Sequence, residues 1–408
     1  MADNKEEVDY SLNNPATVDK YKTAGAISEK VLAEVSKLCV AGEKIVTICE
    51  KGDKLLADEV AKVYAKLKNK GFAHPTTVSP SAFVTPYTPL TSDEAESKVE
   101  LTEGEHVKIQ LGAQIDGFGT IVCDTIVVGA KEAVEGRSAD LVLATHYANE
   151  LLLRLMLPPG VLASGTDEEK AKAAAAKAPT QARITQLLEK IAKAYECNLV
   201  ESTTSWIFDR NDIEGKKKIV IAPGEGSKGD GTPEIGEVWG VEMGMSLGSG
   251  KVKNMEQRPT LHRLINENGQ AKRSTSKKLL YDVKKSYHNF PFSMRQLESE
   301  RDAKLGVLEC VRNGMLRQYE VVGDKEGAAV SRLLTTILNV FGQLLNYAAV
   351  ITKNGVTKLS AAPALDVSKF KTDKKIEDEE ILKILEQPLA RNKGKPKPKK
   401  KAAKKSDE

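Results

Sequence analysis

Aromatic residues make up only 5 % of these 408 residues, and two of them are Trp. A chain so poor in flat side chains offers few platforms for stacking the bases of a single-stranded nucleic acid. The five cysteines (Cys39, Cys49, Cys123, Cys197, Cys310) are scattered and never in C-x-x-C spacing. That argues against a disulfide framework or a zinc knuckle and points to a reducing compartment, cytosol or nucleus. The five histidines (His74, His106, His146, His262, His288) never fall in H-E-x-x-H or another ligand spacing, and His106, in a strand, and His146, on a helix, are expected to pack or hydrogen-bond rather than to ligate. No long apolar run survives intact. The longest stretch, residues 333–351, is broken by Thr335, Thr336, Asn339, Gln343 and Asn346, and reads as core rather than a membrane span. The start, Met-Ala-Asp-Asn-Lys-Glu-Glu, is polar and acidic, so no secretory signal is expected. Gly224-Glu-Gly226-Ser-Lys-Gly229 has the spacing of a dinucleotide fingerprint, but Asp230-Gly231-Thr232-Pro233 follows where that motif needs a helix, so a loop is expected.

What is present is charge, unevenly spread. The net charge is +4, yet residues 391–405 hold nine Lys/Arg and no acid, and residues 251–278 hold eight Lys/Arg against Glu256 and Glu267. The rest of the chain is therefore acidic. Positive charge gathered on appendages suits a polyanion, because each neutralised phosphate releases counterions. The candidate nucleic-acid contacts are Lys251, Lys253, Arg258, Arg263, Lys272, Arg273, Lys277, Lys278, Lys284 and Lys285, with Arg295 and Lys304 further on. The Lys/Pro tail adds Lys393, Lys395, Lys397, Lys399, Lys400 and Lys401, kept extended by its prolines. Lys and Arg without interleaved aromatics suit phosphates on structured RNA.

Hydrophobic spacing predicts helices over residues 28–38 and 54–70, the second closed by Gly71. The segment carrying Pro75, Pro80, Pro86 and Pro89 reads as neither helix nor central strand. Strands are expected at 107–111 and 120–128, joined by a turn at Asp116-Gly117. Helices over 137–157 and 180–195 flank an Ala/Lys/Glu-rich surface insertion at 166–177. Strands follow at 217–221 and 237–243, a helical insert at 279–283 and 294–317, β-type segments from 330 to about 359, and a short helix at 381–385. One echo stands out. Residues 104–112 (Gly-Glu-His-Val-Lys-Ile-Gln-Leu-Gly) align without gaps on 236–244 (Gly-Glu-Val-Trp-Gly-Val-Glu-Met-Gly), which suggests two related α/β halves.

Several of these segments, Glu105-His-Val-Lys-Ile-Gln-Leu-Gly112 with Asp116-Gly117-Phe118, Lys216 to Ile221, Glu237-Val-Trp-Gly-Val-Glu242, Met294-Arg295, Gly306-Val-Leu-Glu-Cys310 and Lys325-Glu326-Gly327, resemble type 2 methionine aminopeptidases. The likeness is to their non-peptidase relatives above all, the proliferation-associated and curved-DNA-binding proteins, and it covers roughly residues 17–360. The resemblance implies an α+β pita-bread (creatinase/aminopeptidase) fold of two pseudo-symmetric halves. It would comprise a flexible start at 1–16, a fold domain at 17–360 with a helical insert at 278–320, and an extension at 361–408 ending in a disordered basic tail.

Aminopeptidases of this fold hold two metals with five side chains and so activate a water. The resemblance places the first Asp ligand at Gln110, the second at Ile121 (or at Asp124 if the pairing slips), the His ligand at Ile213, and the two Glu ligands at Glu242 and Leu334. The substrate-side His falls at Pro86. Only Glu242 keeps a ligating side chain, so the expectation is no metal, no cofactor and no hydrolysis, with Glu242 a satisfied pocket carboxylate. The same resemblance implies a monomeric partner of the large ribosomal subunit that contacts rRNA near the polypeptide tunnel exit. Curved or structured duplex DNA is the alternative ligand, and an active metallo-aminopeptidase the third reading.

Overall fold

The computed structural model describes residues 9–130, 133–163, 165–340 and 353–392. The first half opens with α1 (Pro15–Leu38), much longer than the apolar stripe predicted, because its start is written in the cap. The Asn14 side-chain oxygen accepts the Ala16 N–H, and Pro15 stands at the first turn, where its missing N–H costs nothing. Helix α2 is Ile45–Ala61, not 54–70. The chain leaves it at Lys62, and Gly71 lies inside β1 (Lys70–Pro80), so it caps nothing. Strand β1 tolerates Pro75 because it is an edge strand whose pairing skips between His74 and Thr77. Strand β2 (His106–Ile115) then turns back at Asp116-Gly117, where both residues take positive φ (58° and 82°), towards β3 (Val122–Val127).

The second half has α3 (Gly136–Leu155), α4 (Asp167–Ala174) under a Thr166/Glu169 capping box, and α5 (Gln181–Ala194). Strand β4 (Thr203–Phe208) was not foreseen; its polar first half hides the alternation. Strands β5 (Lys218–Ile221) and β6 (Val238–Ser246) follow, with a loop and no helix after the glycine-rich motif. The insert is built from β7 (Leu261–Leu264), α6 (Ser274–Ser286), α7 (Glu300–Arg312) and β8 (Leu316–Gln318). The helix expected over 294–317 is thus shorter. Gly314 (φ 64°) follows its end, and the chain pairs back on β7 as strand. Strands β9 (Val330–Val340) and β10 (Lys353–Ser360) and helix α8 (Glu379–Leu385) follow, and Ala390–Asn392 pairs on β10 as a last short strand among the described residues.

The main sheet runs β1-β2-β3-β9-β6-β4-β5, with antiparallel neighbours. Read from its middle, β3, β2 and β1 on one side answer β9, β6 and β4 on the other, so the echoed segments are β2 and β6 in equivalent places. Gly104 and Gly236, the first residues of the echo, both need positive φ (77° and 83°) at the approach to the strand. Ile109 and Leu111 of β2 pack with the buried faces of α1 and α2; Trp239, Val241 and Met243 of β6 pack with α3 and α5. All four helices therefore cover one face of the sheet. The residues between, Gln110, Gly240 and Glu242, point to the other face.

Candidate functional site

Register builds the site. Gln110 of β2 lies opposite Cys123 of β3, Cys123 opposite Leu334 of β9, and Leu334 opposite Glu242 of β6, a continuous row across four strands. Ile121 precedes Cys123 by two residues, and its N–H is bonded to the Thr336 hydroxyl at 2.9 Å. A cavity of about 330 Å³ opens over this row, and all six positions aligned on the peptidase machinery, Pro86, Gln110, Ile121, Ile213, Glu242 and Leu334, line it. Asp124 does not; it faces the opposite side of the sheet, so the alternative alignment at this point fails on register.

The residue that organises the cavity is one that the sequence does not advertise. Arg332, two before Leu334 on β9, turns its guanidinium into the row with a side chain only 4 % exposed. Its Nε donates to Glu242 Oε1 at 2.9 Å, and its Nη2 donates to the same oxygen at 2.5 Å and to Gln110 Oε1 at 3.2 Å. Gln110 Nε2 in turn meets His74 Nε2 at 3.1 Å, and the other ring nitrogen of His74 lies 2.8 Å from the Pro75 carbonyl. If His74 donates from Nδ1 to that carbonyl, Nε2 is left to accept from the Gln110 amide. Burial, with the Arg332 charge acting in the same sense, pulls the imidazole down to about 4, so it is neutral. Burial likewise pushes the Cys123 thiol up to about 12 and brings the Lys108 ammonium, which donates to the Ser81 carbonyl, down to about 7. The one signal in the sequence for this network is a basic residue at a strand position where burial is expected.

The cations proposed for nucleic acid divide into groups. Lys253, Lys272, Arg273, Lys277 and Lys285 are exposed on the insert and the strand leading to it. Lys251, Arg258 and Lys278 are exposed but paired, with Glu201 (3.2 Å), Asp93 (3.9 Å) and Glu298 (2.8 Å). Lys284 is half-buried and donates to the Glu267 carbonyl. Arg263 is different: 11 % exposed, it is held by Asp212 (2.5 Å) and Glu214 (3.6 Å) and faces inward. Arg295 is likewise interior, 4 % exposed and paired with Asp53 at 2.9 Å, where it ties the insert to α2. Arg301 and Arg312 on α7 add exposed cations that charge clustering in the sequence did not single out. Lys393, Lys395, Lys397, Lys399, Lys400 and Lys401 lie outside the described residues.

No family model matches the chain. Individual proteins do. The curved DNA-binding protein of Schizosaccharomyces pombe is 36 % identical over 96 % of this chain and 96 % of its own length, and the proliferation-associated protein A of Dictyostelium discoideum is 33 % identical over 80 % of each. The chain belongs to the curved-DNA-binding and proliferation-associated protein family. A protein of Yarrowia lipolytica named probable metalloprotease ARX1 is 29 % identical over half of this chain and 43 % of its own. Among solved structures, a thermophilic Arx1 is 64 % identical and superposes with a TM-score of 0.88 over 93 % of this chain and all of its own. A methionine aminopeptidase of Thermotoga maritima, 16 % identical with a TM-score of 0.51 over 85 % of this chain and 98 % of its own, shares the pita-bread fold.

This member of the family does not fit the two metals of that fold. Of the six aligned positions, only Glu242 carries an anionic side chain, and Arg332 already occupies one of its oxygens. The centre of the row is held by a guanidinium, which repels a second cation. A neutral amide and three aliphatic side chains supply no charge to offset two divalent ions. Among the described residues, no group of three or more His, Cys, Asp or Glu is placed to hold a metal ion.

Proposed function

We propose that this protein is a catalytically silent aminopeptidase-like factor that docks on the large ribosomal subunit, with rRNA near the tunnel exit as its ligand. It would act in ribosome biogenesis or translation, in the cytoplasm and the nucleus or nucleolus. The observation that carries this reading is the set of exposed cations on the insert and the strand before it, Lys253, Lys272, Arg273, Lys277 and Lys285, standing clear of the carboxylates that neutralise Arg263 and Arg295 inside. Fixed positive charge on a folded surface, without stacking aromatics, favours phosphates of structured RNA. The Arg332–Glu242 pair supports the silent half of the proposal. It fills the place of the chemistry with a neutral ion pair.

Co-sedimentation with separated ribosomal subunits across a salt series, with and without residues after Ala390, tests the docking. Saturable binding confined to the large subunit and weakening with salt supports it. Equal binding to any nucleic acid would move the second reading, duplex DNA, to the front; that reading draws on the name of the 36 % identical relative. For the catalytic half, cleavage of methionyl peptides by protein reconstituted with cobalt or manganese would overturn the proposal.

A further inference from the structure

A second cavity, of about 390 Å³, lies on the reverse face of the sheet, between β3 and β9, helix α3 and residues 361–370. Ser331, Leu333 and Thr335 line it from β9, alternating with the Arg332 and Leu334 that serve the first cavity. From α3 come Val142, His146, Asn149 and Glu150, spaced to share one helix face.

Most charged groups around this cavity are already committed. Glu150 takes Arg154 at 2.8 Å and Lys358 at 2.9 Å, and Asp366 caps the turn at Ser368. Lys369 also lines the wall. Apart from Lys369, which is exposed, and the Ser331 and Thr335 hydroxyls, three polar groups are left over. The carboxyl of Asp124 accepts only the neighbouring Thr125 N–H, at 2.8 Å, and has no ion-pair partner among the described residues. Asn149 is 5 % exposed, and its carboxamide oxygen has no hydrogen-bond partner among the described residues. The His146 imidazole, lowered by burial and so neutral, packs edge-on against Tyr147 at 5.3 Å. A carboxyl and an orphaned amide oxygen beside an open cavity ask for a hydrogen-bond donor bearing positive charge. A metal ion is the poorer match, because no ligand group for one is formed among the described residues. An anion would have to sit against the Asp124 carboxyl.

We propose that this cavity binds a primary alkylammonium group, its three N–H donors shared among Asp124, the Asn149 carboxamide oxygen and the His146 ring. Leu333, Val142 and Phe370 supply the apolar wall for the attached methylenes. Burial holds Asp124 up to about 7, so ligand binding releases a proton from it near neutral pH. The ammonium has two natural sources, a free diamine or a lysine side chain of a peptide.

The test is calorimetric titration of the full chain with putrescine and with Nα-acetyl-lysine methylamide, using butyrate as the anionic control. Both amines should bind saturably, with heats that vary with buffer as protons are released, and butyrate should not. Asp124→Asn and Asn149→Leu should each weaken amine binding by about tenfold or more. Gln110→Ala, which alters only the opposite face, should leave it unchanged. Stronger binding of the lysine derivative assigns the site to peptides, and stronger binding of putrescine assigns it to free amines. Absence of saturable amine binding at millimolar concentrations, or undiminished binding by a folded Asp124→Asn variant, overturns the proposal.

Discussion

Replacing Glu242 with Gln should expose what the Arg332 pair does. The guanidinium is 4 % exposed and Glu242 20 %, so removing the carboxylate charge strands a cation in low dielectric while removing the cation leaves a carboxylate that the cavity can hydrate. Breaking a buried pair from one side costs about 3–5 kcal/mol. Glutamine can still accept from Nε, which brings Glu242→Gln to about 2–3 kcal/mol. Arg332→Met should cost less, about 1–2 kcal/mol, since Gln110 keeps its bond to His74 and the methionine fills the guanidinium's place. The double variant Arg332→Met/Glu242→Gln removes both charges and should lie within about 1 kcal/mol of the parent. Urea unfolding followed by tryptophan fluorescence reads this directly, because Trp206 lines the cavity and Trp239 is fully buried in the same half. In a chain of this length 1 kcal/mol moves Tm by about 1–2 °C, so denaturant midpoints are the better measure. If the two single costs simply add in the double variant, the charges are not coupled and the account of the site is wrong.

Substituting Lys253, Lys272, Arg273 and Lys277 with Ala should weaken rRNA binding and flatten its log–log salt slope by about 0.7–0.9 for every phosphate no longer neutralised, measured by filter binding; an unchanged slope moves the interface elsewhere. Arg263→Ala should instead lower stability, because it leaves Asp212 and Glu214 without its charge, with an RNA salt slope equal to the parent's. Burial depresses His74 and His262, each to about 4, so the unfolded chain binds more protons than the folded one between about pH 4 and 6.5. Their contribution to stability is complete above about 6.5 and is lost as pH falls through 4; His74→Gln should reduce the steepness of acid unfolding across that window. Gly25→Ala should cost about 1–3 kcal/mol, since a Cβ there would run into the Leu359 carbonyl where α1 crosses β10, and chemical denaturation of the variant checks it.

Much of this protein could be read before it was folded. The strands at Val107 and Val238, the turn at Asp116-Gly117, the helices over 137–157 and 180–195 and the short helix at 381–385 follow from local periodicity and turn chemistry, which need no distant partner. The duplication was legible too, because equivalent strands in the two halves face the same packing demands and keep the same glycine entry. Helix α1's early start and the strand through Pro75 escaped, since one depends on a single capping side chain and the other on being at the sheet edge. The six degenerate positions were placed by resemblance. What put them around one cavity, and sent Asp124 to the other side, was cross-strand register, a one-residue property that local sequence does not carry. The role of Arg332, and the withdrawal of Arg263 and Arg295 into ion pairs, rest on partners distant along the chain. A lysine or arginine in sequence is a charge; whether it faces solvent or a buried carboxylate is decided only when the strands and the insert come together.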